Sequence, residues 1–264
     1  MERTSISDDN RYPMYCYIAS KNDAEFANFK RHPVYNAILE HVSPQEGSDY
    51  LRKILEDNEL YLSIQDWKYI LRNDSIGNPR TIQYSFGDSQ IVCSPTTLRY
   101  VKVLSDISKL FPENILRGGV SEIGIGYGGQ CRILMHALPL AFYNLVDLPE
   151  VLSLAERFLT ELDVAGDIRY IDGTHLYHDA PCDLFISNYA FSELVKPVQD
   201  IYIKRILRRA KAGYITWNQS ALNAGGWSGG YTLEEFLSMI PGATTIPEEP
   251  LTAPGNCIVV WGTK

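Results

Sequence analysis

The chain has 264 residues, 45% of them hydrophobic, enough to bury a full α/β core and still carry an added segment. Thirty-two acidic against 24 basic residues give a formal charge of −8, which disfavours a polyanion such as nucleic acid as partner. The five cysteines, Cys16, Cys93, Cys131, Cys182 and Cys257, are widely spaced and include no C-x-x-C pair, so reduced thiols are expected rather than a disulfide framework or a zinc site.

No charged segment followed by an apolar run opens the sequence, and no apolar run is long enough to span a bilayer, so a cytoplasmic protein without a membrane partner is expected. From about residue 20 to 75 the pattern predicts short helices over 23–30, 33–41, 48–56 and 64–71, broken by proline, glycine and asparagine. Alternation over 81–85 and 89–93 around Gly87 predicts a hairpin. Ser94-Pro95 then places serine at N-cap and proline at the first helical position of a helix running to about Leu110.

Beyond it the chain alternates strand and helix, which calls for a parallel sheet with helices on both faces. Strands are predicted over 119–123, 142–146, 168–171, 183–187 and 214–217. Helices are predicted over 129–138, from Pro149 to Leu162 and over 195–209. The basic cluster Lys204, Arg205, Arg208, Arg209 and Lys211 falls late on the last of these, where cations complement the helix dipole and solvate an outer face. Thr232 and Glu235 have capping-box spacing for a helix to Ile240. Strands near 244–247 and 257–261, with a turn at Pro254-Gly255, close the sheet with one antiparallel member.

The stretch Val120-Ser121-Glu122-Ile123-Gly124-Ile125-Gly126-Tyr127-Gly128-Gly129 reads as an apolar strand running through an acid into a glycine-rich turn that opens a helix. Glycines suit a turn that needs positive φ and a ligand approaching where a Cβ would collide. The pattern G-x-G-x-x-G is present as Gly124, Gly126 and Gly129, so a nicotinamide-dependent oxidoreductase is the first alternative. Glu122 argues against it, since a carboxylate there repels a pyrophosphate and attracts a cationic ligand such as S-adenosylmethionine, with its sulfonium and α-ammonium groups. Asp147 lies 21 residues beyond Gly126, the distance expected for an acid at the end of the second strand to accept both ribose hydroxyls; it also suits capping of the Pro149 helix.

Val120–Leu134, Tyr143–Val151 and Ser187–Leu194 resemble the sugar O-methyltransferases, a family of class I S-adenosylmethionine-dependent methyltransferases whose motif is E-x-G-x-G-x-G. Ser94-Pro95-Thr96-Thr97-Leu98-Arg99-Tyr100 is similar to the same family's approach helix, and the likeness covers about residues 80–262. The run from Val146 to Val151 also resembles plant-type small-molecule O-methyltransferases. The resemblance implies a Rossmann-like sheet, mostly parallel with an antiparallel last strand, and a mainly helical N-terminal extension over 1–93 before a methyltransferase domain over 94–264. It implies that Glu122, Gly124, Gly126, Gly128, Asp147 and Leu148 hold S-adenosylmethionine. Asp172 and Gly173 match the adenine edge, and Ser187, Asn188 and Tyr189 face the methionine and sulfonium. Tyr127 and Tyr189 flank that sulfonium position, where a cation–π contact competes with plain packing.

The activity implied is methylation of a hydroxyl on a sugar, nucleotide sugar or glycan, in the chemistry of polysaccharide biosynthesis. A fold that binds the cofactor without catalysis is the remaining alternative. A sugar hydroxyl is a poor nucleophile until its proton is taken. Glu193 is the first candidate base, a few residues past Asn188, with an exposed helix acid as its competing reading. His175 and His178, spaced i, i+3 after the third strand, are further candidates; they are not read as a metal pair. Asn218 and Gln219 follow the fifth strand and suit hydrogen bonds to substrate hydroxyls. The loop Gly225-Gly226-Trp227-Ser228-Gly229-Gly230 offers a flap whose indole stacks on a sugar face, or a plain linker. The N-terminal helices are expected to roof the site, a homodimer interface being their other use.

Overall fold

The computed structural model describes residues 10–57, 60–86, 89–219 and 229–264. The N-terminal part is a set of helices: α1 (Arg11–Lys21), α2 (Asp23–Phe26), α3 (Pro33–Ile38), α4 (Pro44–Glu56) and α5 (Ile64–Leu71). Ser43 and Ser63 cap α4 and α5 in full capping boxes, with Glu46 and Asp66 reaching back to the serine N–H, so two orphan donors are satisfied at each start. That box starts α4 four residues before the Ser48 expected.

The helix expected over 23–30 is split, because the Lys30 N–H goes to the Gly77 carbonyl at 3.0 Å; α2 is followed by a 3₁₀ turn, Phe29–Arg31. α1 has no counterpart in the sequence reading. Its N-cap position, Asn10, is left-handed without a side-chain cap, and its buried side, Tyr15, Cys16, Ala19 and Ser20, is too small and polar to read as an apolar stripe.

The hairpin forms as β1 (Ile82–Phe86) and β2 (Ser89–Cys93), antiparallel with Tyr84 opposite Ile91. α6 (Pro95–Leu110) starts where the sequence placed it, the Ser94 hydroxyl accepting from the Thr97 N–H at 3.1 Å, and the short α7 (Glu113–Leu116) leads to the sheet. There follow β3 (Gly119–Ile123), α8 (Gly129–Ala137), β4 (Phe142–Asp147), α9 (Pro149–Glu161), β5 (Ile168–Asp172), β6 (Leu184–Asn188), α10 (Lys196–Arg205), β7 (Ala212–Trp217), α11 (Leu233–Met239), β8 (Thr244–Pro247) and β9 (Cys257–Trp261). α10 stops short of Arg209 because Ile206 leaves the helical region, at φ −125° and ψ −64°; a 3₁₀ turn covers Leu207–Arg209.

The seven strands lie in the order β5-β4-β3-β6-β7-β9-β8, and β9 runs antiparallel to both its neighbours. This is the mostly parallel, Rossmann-like sheet with an antiparallel last strand that the resemblance implies. Strand order reverses between β3 and β6, which pair directly, so a crevice opens beyond their carboxyl ends. One sheet face packs Val120, Tyr143, Leu145, Ile186 and Tyr214 against the N-terminal helices, α6, α8 and α9; the other packs Ile123, Val146, Phe185, Ile215 and Trp217 with side chains of α10 and α11.

The N-terminal helices thus share one apolar core with the sheet. The two are also tied by buried polar contacts. Lys30 donates to the Asn73 carbonyl at 2.5 Å, Arg132 donates to the Asn73 side chain at 2.8 Å, and Asn73 donates to the Gly129 carbonyl at 3.2 Å in the first turn of α8. The late basic cluster is a solvated face: Arg205 and Arg209 pair with Asp179, and Lys211 with Asp183. All five cysteines are free thiols, and no described helix is long and apolar enough to cross a membrane.

Candidate functional site

The glycine-rich turn joins β3 to α8 at the carboxyl edge of the sheet. Gly124 has φ 72°, and a Cβ there would run into the Cβ of Ala190, just past β6; Gly126 has φ 56° and faces the Leu39 side chain, 2.9 Å from where its own Cβ would stand. Positive φ strains an L side chain at both positions, and at Gly124 the clash with Ala190 adds to the strain. Gly128, also at positive φ, is the residue from which α8 starts. Tyr127 lies between them fully buried, with Phe29, Tyr100 and Phe158 edge-on to it and the Lys30 ammonium 4.0 Å from its ring centre. Its ring already holds an internal cation, so of the two uses expected for Tyr127 the geometry favours packing.

Two carboxylates flank this turn. Glu122 is 2% exposed and accepts a 2.7 Å hydrogen bond from the Tyr143 hydroxyl on the neighbouring strand. Burial is the main cause pushing its pKa up to about 8; the Tyr143 hydrogen bond opposes the rise and the charge of Asp147 adds to it. Asp147, half-buried at the end of β4, accepts from the Ile125 N–H at 2.9 Å and from the Leu148 N–H at 2.8 Å. Desolvation raises it to about 6 against those two bonds. Two backbone donors fix the carboxylate and leave lone pairs for further donors, the arrangement a vicinal diol requires. Leu148 is 37% exposed beside it.

At the next strand end Asp172 stands opposite Asp147 in register. Its carboxylate accepts from the Thr174 N–H and hydroxyl at 2.8 and 2.6 Å and lies 2.8 Å from His175 Nδ1. Partial desolvation works upward there, but these bonds hold Asp172 below the usual range. Gly173 follows with Tyr202 Oη pressed against it, 2.5 Å from where a Cβ would stand. On the far side of the crevice, Ser187 is fully buried and its hydroxyl accepts from the Phe191 N–H, capping the 3₁₀ turn Ala190–Glu193. Asn188 accepts from Thr216 at 3.3 Å. Tyr189 takes the left-handed φ of 68°, a strained conformation for an aromatic residue, and its hydroxyl donates to Glu248 at 2.6 Å.

The candidate bases separate. Glu193 ends the 3₁₀ turn rather than opening a helix, and accepts from Asn218 Nδ2 at 2.8 Å, which holds it at the carboxyl end of β7. His175 is exposed on the β5 side, turned to Asp172, and His178 is exposed further along the same loop. Among the described residues no group of three or more His, Cys, Asp or Glu side chains is placed to hold a metal. Gln219 is half-buried beside Asn218. Residues 220–228, with Trp227 and all of the expected flap except Gly229 and Gly230, lie outside the described residues.

Four features of the site are not legible in the sequence. Leu39, at the end of α3, seats the N-terminal segment on Gly126, while α1 packs along α9 and brings Tyr12 and Cys16 into the field of Asp147. The N-terminal segment therefore touches the glycine turn at Leu39 and comes within electrostatic reach of the acid at β4. Arg99, quoted only as part of a motif, lines a cavity with Asn188 and Tyr189. Glu248, in the loop after β8, is buried on the same cavity and also accepts from the Thr252 N–H at 2.9 Å. Apart from the local Glu248–Thr252 bond, these contacts join residues more than fifty positions apart, and no local pattern signals them.

No protein-family model and no curated protein matches the chain. Solved structures similar to it include a protein described as a sarcosine dimethylglycine methyltransferase from Galdieria sulphuraria, with TM-score 0.47 and 17% identity over 70% of this chain and 76% of that one. The methyltransferase domain of bacterial CtHen1-CN is similar with TM-score 0.45 and 14% identity over 62% of this chain and 96% of that one. An O-methyltransferase from neocarzinostatin biosynthesis, in complex with S-adenosylmethionine and 2-hydroxy-5-methyl naphthoic acid, is similar with TM-score 0.43 and 13% identity over 64% and 58% of the two chains.

Proposed function

We propose that the chain is an S-adenosylmethionine-dependent O-methyltransferase acting on a hydroxyl of a sugar, nucleotide sugar or glycan. The observation that carries this reading is the pair of acids on either side of the glycine turn. A buried Glu122 with its pKa near 8 suits a cationic ligand that favours its ionised form, and an Asp147 fixed by two backbone donors suits a ribose diol. A nicotinamide dinucleotide would bring a pyrophosphate, which disfavours the ionised form of Glu122 and gains no charge pairing from it. In this reading the extension over 1–93 covers the cofactor side of the domain over 94–264.

The cofactor supplies an electrophilic methyl group on a sulfonium, so the protein's task is positioning and proton removal. Asp147 would accept the ribose hydroxyls, Glu122 would face the α-ammonium group, and Leu148, Asp172 and Gly173 would border the adenine. Asn188 and Tyr189 would line the path along which the acceptor oxygen approaches. Glu193 is the proposed base. Its carboxylate, steadied by Asn218, would take the proton of the acceptor hydroxyl, while His175 and His178 sit on the adenine side and rank behind it. The test is transfer of label from methyl-tritiated S-adenosylmethionine to a panel of acceptors beginning with nucleotide sugars. Label on a sugar oxygen is expected; cofactor binding with no transfer to any hydroxyl would favour the non-catalytic alternative.

A further inference from the structure

Next to Asn188 and Tyr189, on the face covered by α4 and α6, lies a narrow cavity of about 20 Å³, room for little more than a water molecule. Glu248 and Glu249 line both this cavity and a wide groove of about 420 Å³ bordered by Asp49, Arg52, Lys53, Pro247, Leu251 and Asn256. That volume lies in the range of small-ligand sites. Groove and cavity adjoin at Glu248 and Glu249 and together lead from solvent toward the carboxyl ends of β6 and β7, from the side opposite the adenine end of the crevice; the inner cavity must widen to admit a group larger than water.

Most charges along this path are paired, and among the described residues two are not: Glu248, which has only neutral donors, and Arg99. Lys102 is bound to Asp106 at 2.5 Å, and Asp106 also accepts from Tyr214. Lys53 is bound to Glu249 at 2.9 Å. Glu248 accepts from Tyr189 and Thr252. Arg99 makes no ion pair within 4 Å with any described residue, although the buried Glu40 lies within reach of its charge; its hydrogen bond runs from Nη2 to the Leu39 carbonyl at 3.2 Å, and its guanidinium carbon is 5.8 Å from the Tyr189 ring centre. A half-buried guanidinium has five N–H donors in a planar fork matched to a carboxylate or phosphate, and leaving such a group without an anion forfeits most of what it can offer. Around it stand Tyr50, Asn188, Thr216 and Glu248, groups that bind hydroxyls.

We propose that this path is the acceptor site and that Arg99 receives an anionic group of the acceptor, a phosphate or a carboxylate, so that the substrate is an acidic sugar derivative rather than a neutral glycan. The inference rests on the methyltransferase reading and adds the acceptor's charge to it. Arg99 binds the anion, and Glu248, Asn188 and Thr216 select for hydroxyls beside it.

The probes are inorganic phosphate and acetate, titrated at constant ionic strength against chloride into the protein saturated with S-adenosylhomocysteine. Binding is read by calorimetry and by thermal shift. Phosphate or acetate is expected to bind alongside S-adenosylhomocysteine, and the stronger of the two names the anion class. Arg99→Gln is expected to weaken that binding about tenfold to a hundredfold with S-adenosylhomocysteine affinity unchanged, and Arg99→Lys, which keeps the charge and loses the fork, by less. Absence of anion binding, or equal binding by Arg99→Gln, overturns the inference. So does exclusion of phosphate by S-adenosylhomocysteine together with weaker S-adenosylhomocysteine binding in Arg99→Gln, which would assign Arg99 to the cofactor's carboxylate. If S-adenosylhomocysteine itself does not bind, the methyltransferase reading fails, and the same anion titration on the free protein and on Arg99→Gln still decides the role of Arg99. Circular dichroism of both variants separates misfolding from lost binding.

Discussion

Replacing Glu122 by glutamine removes a buried acid while keeping its shape and an oxygen that accepts from Tyr143. In the folded protein this carboxyl holds its proton up to about pH 8, whereas its ordinary value is 4.5. Between those limits the unfolded chain has released the proton and the folded chain has not, so unfolding releases a proton and stability falls as pH rises. The contribution is intact below pH 4.5, declines through the interval, and is fully lost above pH 8. At pH 7 the interval crossed is about 2.5 units, and at about 1.4 kcal/mol per unit the wild type has given up about 3 kcal/mol that Glu122→Gln retains. Urea denaturation of both proteins at pH 5, 7 and 8.5, without ligand, reads this directly. The variant should gain on the wild type steadily with pH. A difference independent of pH, or a wild type that is the more stable at pH 8.5, would refute the argument from burial.

The other predictions concern the neighbouring groups. Asp147→Ala should weaken S-adenosylmethionine binding by about 1.5–3 kcal/mol in calorimetry while circular dichroism stays unchanged, since it removes charge-assisted bonds to a ribose; an unaltered Kd would take Asp147 out of the site. Glu193→Gln should lower kcat on a true acceptor with little change in cofactor Kd, and undiminished turnover would end its role as base. Gly124→Ala should destabilise the fold by about 1–3 kcal/mol, because alanine at φ 72° is strained and its Cβ meets Ala190; a midpoint equal to wild type would show that the turn relaxes freely. Binding of S-adenosylhomocysteine should release a proton from Glu122 at pH 7, seen as a calorimetric enthalpy that varies with the buffer's ionisation enthalpy, and Glu122→Gln should lose that dependence.

Much of the sheet is legible in the sequence, for local reasons. β3 has the predicted span because an apolar run is bounded by Gly118-Gly119 and Gly124, and α6 begins at Pro95 because Ser94 and Pro95 together fix a helix start. The acids Glu122 and Asp147 were found by their position relative to strand ends. What escaped detection depends on distant partners. The Lys30 N–H leaves its helix for Gly77, Leu39 reaches Gly126, and α10 unwinds at Ile206, where neither glycine nor proline marks a stop. α1 is held against α9 by a face with few large apolar side chains, so its periodicity is weak although its contacts are extensive. Arg99 lies on the approach helix, but its lack of an ion pair within 4 Å among the described residues is a three-dimensional fact. The same holds for Glu248, which meets Tyr189 across fifty-nine residues.

The central claim is that the cradle between Glu122 and Asp147 takes an adenosyl sulfur cofactor. Calorimetric titration of the purified protein with S-adenosylmethionine, S-adenosylhomocysteine and NAD tests it without knowledge of the acceptor. Binding of the two adenosyl ligands and none of NAD is the predicted result; binding of NAD alone would contradict the reading of Glu122 and make the chain a candidate oxidoreductase.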